Sequence, residues 1–197
     1  MALSDDPIIW QQFREGDEEA FATIYRQHVQ TLFRYGMSLQ ADGDFIQDCI
    51  HDVFVEIWIK RQRVGDTDSI KYYLIKSLKN RIFNQLGRQQ RQPPAGEFGT
   101  DVAALSTPSY EEEWIRGEDE HVLLERLARY LDRLPPRQRE ALQLRFFEDL
   151  DYQQVADILS VNQQSAYNLI FRALEELRRH LLSGLLGAFL GLFCEIV

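Results

Sequence analysis

Residues 150–180, LDYQQVADILSVNQQSAYNLIFRALEELRRH, restrict the fold more tightly than any other stretch of this 197-residue chain. A helix-turn-helix needs a small residue where its two helices cross, apolar residues turned inward on both, and a tight turn between them. Ala156 is the small residue. Val155 and Leu159 turn inward on the first helix, Val161 plugs the turn, and Ala166 with Leu169 or Ile170 turns inward on the second. Asp151 and Asn162 stand where the two helices want N-caps, and Ser160 takes the turn position where glycine is usual. The second helix then offers Gln163, Gln164, Ser165, Tyr167 and Asn168, with Arg172 one turn further on, to a DNA major groove. Amides pair with adenine, and Arg with guanine or a phosphate. The bland alternative is a helical hairpin with a solvated polar face.

The remaining sequence is helical by the same criterion, because apolar residues recur at three and four while strand-separating turn clusters are scarce. Ser4 or Asp5 with Pro7 can start a short helix. Asp17 can cap a longer one lined by Phe21, Ile24, Tyr25, His28, Leu32 and Tyr35, ending between Gly36 and Leu39. After a turn at Asp42, Gly43 and Asp44, a helix over 44–60 buries Ile50, Val53, Phe54 and Ile57. A basic helix runs from Ser69 to about Arg88 with Leu74, Leu78, Ile82 and Leu86 as its apolar stripe. Residues 121–134 form another helix, ended by Pro135 and Pro136, which also start the next, PRQREALQLRFF. The fold class is all-α.

Charge separates these helices into two domains. The formal net charge of −9 argues against nucleic acid, since a binder must neutralise phosphates. Residues 1–92 hold 12 bases and 13 acids, residues 93–120 hold 1 and 8, and residues 121–197 hold 9 and 10. The excess acid thus sits in the proline- and glycine-containing stretch 93–120, which reads as a flexible tether. An acidic tether can compete with DNA for the basic helix. The expected organisation is two small helical domains, 1–92 and 121–180, an acidic linker, 93–120, and an apolar tail, 181–197. Two cysteines, Cys49 and Cys194, and an amino terminus without a basic-then-apolar segment suggest a reducing, cytoplasmic setting.

Two further faces carry candidate function. On the helix 44–60, Asp48, Asp52 and Glu56 stand four apart beside the buried stripe, a face that suits a basic helical partner or is merely solvated. On the basic helix, Lys76, Asn80, Asn84 and Arg88 share a face with Lys79 and Arg81 beside it. Residues 60–91, which also include Arg61 and Arg63, hold nine bases and two acids.

Together these segments resemble the extracytoplasmic-function sigma factors, bacterial subunits that direct RNA polymerase to promoters. LPPRQREALQLRFFEDLDYQQVADIL with SAYNLIFRALEELR is similar to the domain that binds the −35 element. FIQDCIHDVFVEIWIKR resembles the polymerase-binding helix, and SIKYYLIKSLKNRIFNQLGR the helix that recognises and melts the −10 element. NLIFRAL resembles the iron-citrate-regulator-like branch. Asn84, where aspartate is common, and Gly87, where arginine is common, depart from the family pattern.

The resemblance implies that Asp48, Asp52, Val53, Phe54 and Glu56 bind core polymerase. It gives Arg61, Arg63, Lys76, Lys79, Asn80, Arg81, Asn84 and Arg88 to −10 recognition and melting, and Gln163, Gln164, Ser165, Tyr167, Asn168 and Arg172 to the −35 element. The loop from about Val64 to Ser69 would help capture a base flipped from the non-template strand. The implied partners are core RNA polymerase, through its clamp coiled coil and flap, promoter DNA, and a membrane-associated anti-sigma protein.

Other signals are weaker. Cys49 and His51 lie two apart on a helix and so point to different sides, and no phosphate loop or nucleophile motif is present. No catalytic activity, metal, cofactor or small-molecule substrate is expected. The tail LLSGLLGAFLGLFCEIV is short for a membrane span and reads as an apolar extension packed on its own domain. Two rival functions remain open: a helix-turn-helix regulator without polymerase specificity, and a helical protein-interaction adaptor.

Overall fold

Local capping decides where the long helices of the amino-terminal half begin. The Asp17 carboxylate accepts the backbone N–H groups of Glu19 (2.8 Å) and Ala20 (3.3 Å), opening a helix over Glu18–Leu39. Asp42 accepts the Phe45 N–H (3.1 Å) and opens Gly43–Ile59. A shorter helix, Asp6–Glu15, precedes them and is closed by Gly16 at φ +100°, a conformation glycine adopts without a Cβ penalty. In chain order these are α1, α2 and α3, followed after a loop by α4, Ile70–Arg91.

The computed structural model describes residues 6–40, 42–91 and 129–194. The expected cap at Ser4 or Asp5, the linker 93–120 and most of the helix 121–134 lie outside the described residues. The chain divides into two compact units, residues 1–106 and 107–197. In the first, Trp10, Phe13, Ile24, Leu32, Tyr35, Ile46, Leu74, Leu78 and Ile82 are buried, together with Ile70 and Ile75, which the apolar stripe of α4 did not include. Each such side chain contributes roughly 1.5–3 kcal/mol of burial. Gly36 sets the α2–α3 approach, since a Cβ there would meet Ile46 Cγ2 at 2.5 Å. Tyr25, expected on the inward side, is 44% exposed; its ring leans on Phe54 at 4.8 Å from the rim of the core.

The described part of the second unit opens with a helical segment, α5, over 129–133. Pro135 caps α6, Pro136–Leu142, and Pro136 fills its first position, where a missing N–H costs nothing. The expected single helix over PRQREALQLRFF is not uniform: Gln143–Phe147 widen into a π-helical turn, closed by the Glu148 N–H on the Gln143 carbonyl (3.1 Å). Then come α7, Tyr152–Ile158, and α8, Gln163–Cys194. The backbone of α8 runs helical through residue 180 as far as Cys194, so no helix end marks the start of the apolar tail. Among the described residues no strand occurs and no helix is long and apolar enough to cross a membrane.

Candidate polymerase and nucleic-acid interfaces

The acidic face of α3 is already in use within the protein. Glu56 takes Lys60 Nζ on one carboxylate oxygen and an Arg81 amino group on the other, each at 2.5 Å. Asp52 lies 3.7 Å from Arg81 and accepts Gln85 Nε2 at 3.0 Å, while the Gln85 carbonyl oxygen accepts the Cys49 thiol at 3.2 Å. The Lys60 hydrogen bond, with Arg81 behind it, holds the Glu56 carboxyl below the usual carboxylate range. Burial and then the Asp52 charge push the Cys49 thiol up to about 11, which leaves it protonated and inert. Among the described residues no group of three or more His, Cys, Asp or Glu is placed to hold a metal ion.

Three expectations are corrected on this side. Val53 and Phe54 are each 3% exposed and form the inside of α3, so neither offers a contact surface. Val55 and Ile59 do, at 42% and 71% exposure, and with Asp48 and Asp52 they share one face at helical spacing. Arg81, expected among the DNA-contacting cations, closes its guanidinium onto Glu56 and Asp52 at the wall of the cavity between α3 and α4. Arg61 also turns inward: it stacks over the Trp58 ring at 4.5 Å and donates to the Trp58 carbonyl at 2.8 Å. Trp58 in turn packs on Phe21 at 4.9 Å.

Between α3 and α4 lies a cavity of about 370 Å³, near the lower end of the roughly 300–1,000 Å³ of ligand pockets. Val53, Ile57, Val64 and Tyr73 give it an apolar part; Ser77, Asn80, Asn84 and Gln85 add hydrogen-bonding groups, and Glu56, Lys60, Arg81 and Arg88 line it with charge. Asn80, Asn84 and Arg88 are exposed, as is Arg63 in the preceding loop. Lys76 sits over the Tyr72 ring at 5.9 Å, and Lys79 over Phe83 at 5.7 Å. Phe83 is 55% exposed, an aromatic face within a basic surface on which a base can stack. The sequence reading passed over it, although an aromatic residue on a basic helix was the available signal.

In the second unit the helix-turn-helix forms with the geometry its sequence requires. Asp151 accepts the Gln154 N–H at 2.8 Å and the Gln154 side chain returns to the Asp151 N–H at 3.1 Å, a capping box. Ala156 and Ala166 are fully packed, with Val155, Leu159 and Ile170 around them; Val161 and Leu169 are half-buried. Ser160 takes φ +54°, the left-handed turn conformation that glycine would adopt more cheaply. Asn162 caps α8 through the Ser165 N–H at 2.7 Å. Gln163, Gln164, Asn168 and Arg172 are exposed, Ser165 is half-buried, and Gln164 donates to Asn168 at 3.2 Å. Tyr167, expected on this face, lies exposed between half-buried Tyr152 (5.7 Å) and exposed Phe171 (6.3 Å), aromatic neighbours that the sequence reading did not include.

Comparison with known proteins agrees with both units. Residues 24–92 match Sigma-70 region 2, and residues 124–177 match Sigma-70, region 4. The ECF RNA polymerase sigma-E factor of Escherichia coli (strain K12) is 30% identical over 186 residues, covering 86% of this chain and 91% of that protein. The chain belongs to the ECF sigma factors. The ECF RNA polymerase sigma factor SigM of Bacillus subtilis (strain 168) is 21% identical over 158 residues, covering 79% of this chain and 91% of SigM. The fold is shared with the sigma factor RpoE from Bartonella quintana, solved in complex with the anti-sigma factor NepR, at a TM-score of 0.59 and 21% identity over 82% of this chain and 96% of that one. As a sigma factor, this protein binds core RNA polymerase and promoter DNA and directs promoter-specific initiation of transcription.

Proposed function

We propose that this sigma factor divides its work among three faces. The α3 face of Asp48, Asp52, Val55 and Ile59, with Glu56 at its edge, docks on the basic clamp coiled coil of polymerase. The cavity between α3 and α4 receives a base unstacked from the non-template strand of the −10 element, with Asn80, Asn84 and Arg88 reading it and Arg63, Lys76 and Lys79 holding phosphates. The first turns of α8 read the −35 duplex through Gln163, Gln164, Tyr167, Asn168 and Arg172, with Ser165 supporting the cap, while the second unit engages the polymerase flap. The observation that carries the reading is the cavity, which joins apolar walls to exposed amides and a cation on a basic helix. Capture of an unstacked base there stabilises melted DNA without ATP.

The protein is a specificity subunit with no catalysis of its own and works in the cytoplasm under a membrane-associated anti-sigma partner. The likeness to RpoE, solved with an anti-sigma factor, supports an anti-sigma partner; its membrane association rests on the family resemblance alone. The domain limits 1–92 and 121–180 belong to the same reading, as does membership of the iron-citrate-regulator-like branch, which rests on NLIFRAL at residues 168–174. Affinity for core polymerase tests the docking face: Val55→Asp with Ile59→Asp should weaken it at least ten-fold with folding intact, and unchanged affinity would refute that face.

A further inference from the structure

Three side chains spaced four apart on α1 meet the segment that leads into α4. Asp6 Oδ2 accepts the Ile70 N–H at 2.9 Å, Trp10 Nε1 donates to the Gly65 carbonyl at 2.9 Å, and Arg14 pairs with Asp66. Asp6 thereby satisfies an N–H at the start of α4 that no intrahelical carbonyl can reach, and its charge suits that helix end. Trp10 is 1% exposed, so its N–H has no water to turn to if the Gly65 carbonyl moves. The same indole packs on Tyr73 at 5.0 Å, and Tyr73 and Val64 both line the cavity. The helix α1 thus fixes the loop on one side of the cavity and an aromatic wall on another. It lies before residue 24, where the match to region 2 begins.

We propose that α1 is a strap that holds the loop 64–69 and the Tyr73 wall in the arrangement that receives the unstacked base. Asp6, Trp10 and Arg14 are positioning residues that touch no DNA, and they govern promoter opening without altering polymerase affinity. The inference rests on the reading of the cavity as the base receptor. It makes the opening step depend on contacts 52 to 64 residues apart in sequence.

The test uses the full chain with core polymerase and a duplex promoter, and reads permanganate reactivity of unpaired −10 thymines. Asp6→Ala, Trp10→Phe and Arg14→Ala should each lower opening, with Trp10→Phe losing roughly ten-fold, the size of one buried hydrogen bond. On a template already mismatched across the −10 element the loss should shrink to about two-fold, because nucleation of melting is no longer required. Core affinity should stay at the parental value. Arg14→Ala breaks a partly exposed pair and leaves the core untouched, so it remains informative if Trp10→Phe folds poorly. Parental opening by folded Asp6→Ala and Arg14→Ala, or equal losses on both templates, would overturn the strap. Replacing Asn80 and Asn84, which line the cavity itself, with Ala separates the two readings: if that variant opens promoters normally, the receptor assignment itself fails. If it fails to open them while the α1 variants succeed, only the strap does.

Discussion

α4 carries its cations among protein partners, whereas the opening turns of α8 carry amides and almost no cations. Along α4, Arg81 is closed onto Glu56 and Asp52, and Lys76 and Lys79 lie over aromatic rings. Along α8, Gln163, Gln164 and Asn168 stand exposed, and Arg172 is the first base. On the proposed reading the two helices weigh the two components of DNA affinity differently. Phosphate attraction, which falls with salt, belongs mainly to the first unit, whose Asn80 and Asn84 meet a single unstacked base; discrimination of duplex base pairs through amides belongs to the second. Arg81 further shows that a cation on a basic helix can serve the protein interior, so net charge along a segment overstates what faces DNA.

The largest effect on stability should come from breaking that interior clasp. Arg81→Ala leaves Glu56 with Lys60 and Asp52 with Gln85, and should cost about 1–2 kcal/mol of stability, well below a fully buried pair because both carboxylates are more than two-fifths exposed. Denaturant unfolding of the first unit measures this; an unchanged midpoint with weakened DNA binding would return Arg81 to the DNA face. Next, Gln164→Ala or Asn168→Ala should erase about 1–3 kcal/mol of discrimination at the −35 element while leaving the salt slope alone, read by competition binding against scrambled duplex. Lys79→Ala should do the reverse, weakening all sequences alike and reducing the salt slope by about 0.7–0.9. Ser160→Gly should stabilise the second unit by about 0.5–1 kcal/mol, through relief of its left-handed backbone.

A pH dependence follows from His28 in the first unit. Burial holds the His28 imidazole below its ordinary 6.5, with Asp6 opposing and Lys71 adding to the shift, and its Nε2 is buried without a hydrogen-bond partner. The unfolded chain therefore takes the proton first, and stability falls as pH drops through 6.5. Thermal melts of His28→Gln should lose that part of the acid-side slope.

Caps and crossings were legible because they are local. Asp17, Asp42, Asp151 and Asn162 act within three residues of themselves, and Ala156 and Ala166 follow from helical spacing. Partnerships between helices were not. Nothing near Arg81 in sequence reveals that Glu56, 25 residues earlier, faces it, and nothing near Arg61 reveals that its guanidinium turns back onto Trp58. Val53 and Phe54 were assigned both to the buried stripe and to the docking face, and burial decided for the stripe. The exposed pair Val55 and Ile59 was accessible from the same helical wheel, one position away. The π-helical turn at Gln143–Phe147 and the α1 contacts had no local signature at all.

The division of labour between α4 and α8 is tested most directly by photo-crosslinking in the open complex, with the reactive side chain placed at Asn84 or at Asn168. The account predicts that the Asn84 probe marks the non-template strand of the −10 element, and only with core polymerase present, while the Asn168 probe marks the −35 duplex. Labelling of polymerase instead of DNA by the Asn84 probe, or of the −35 duplex by both probes, would contradict it.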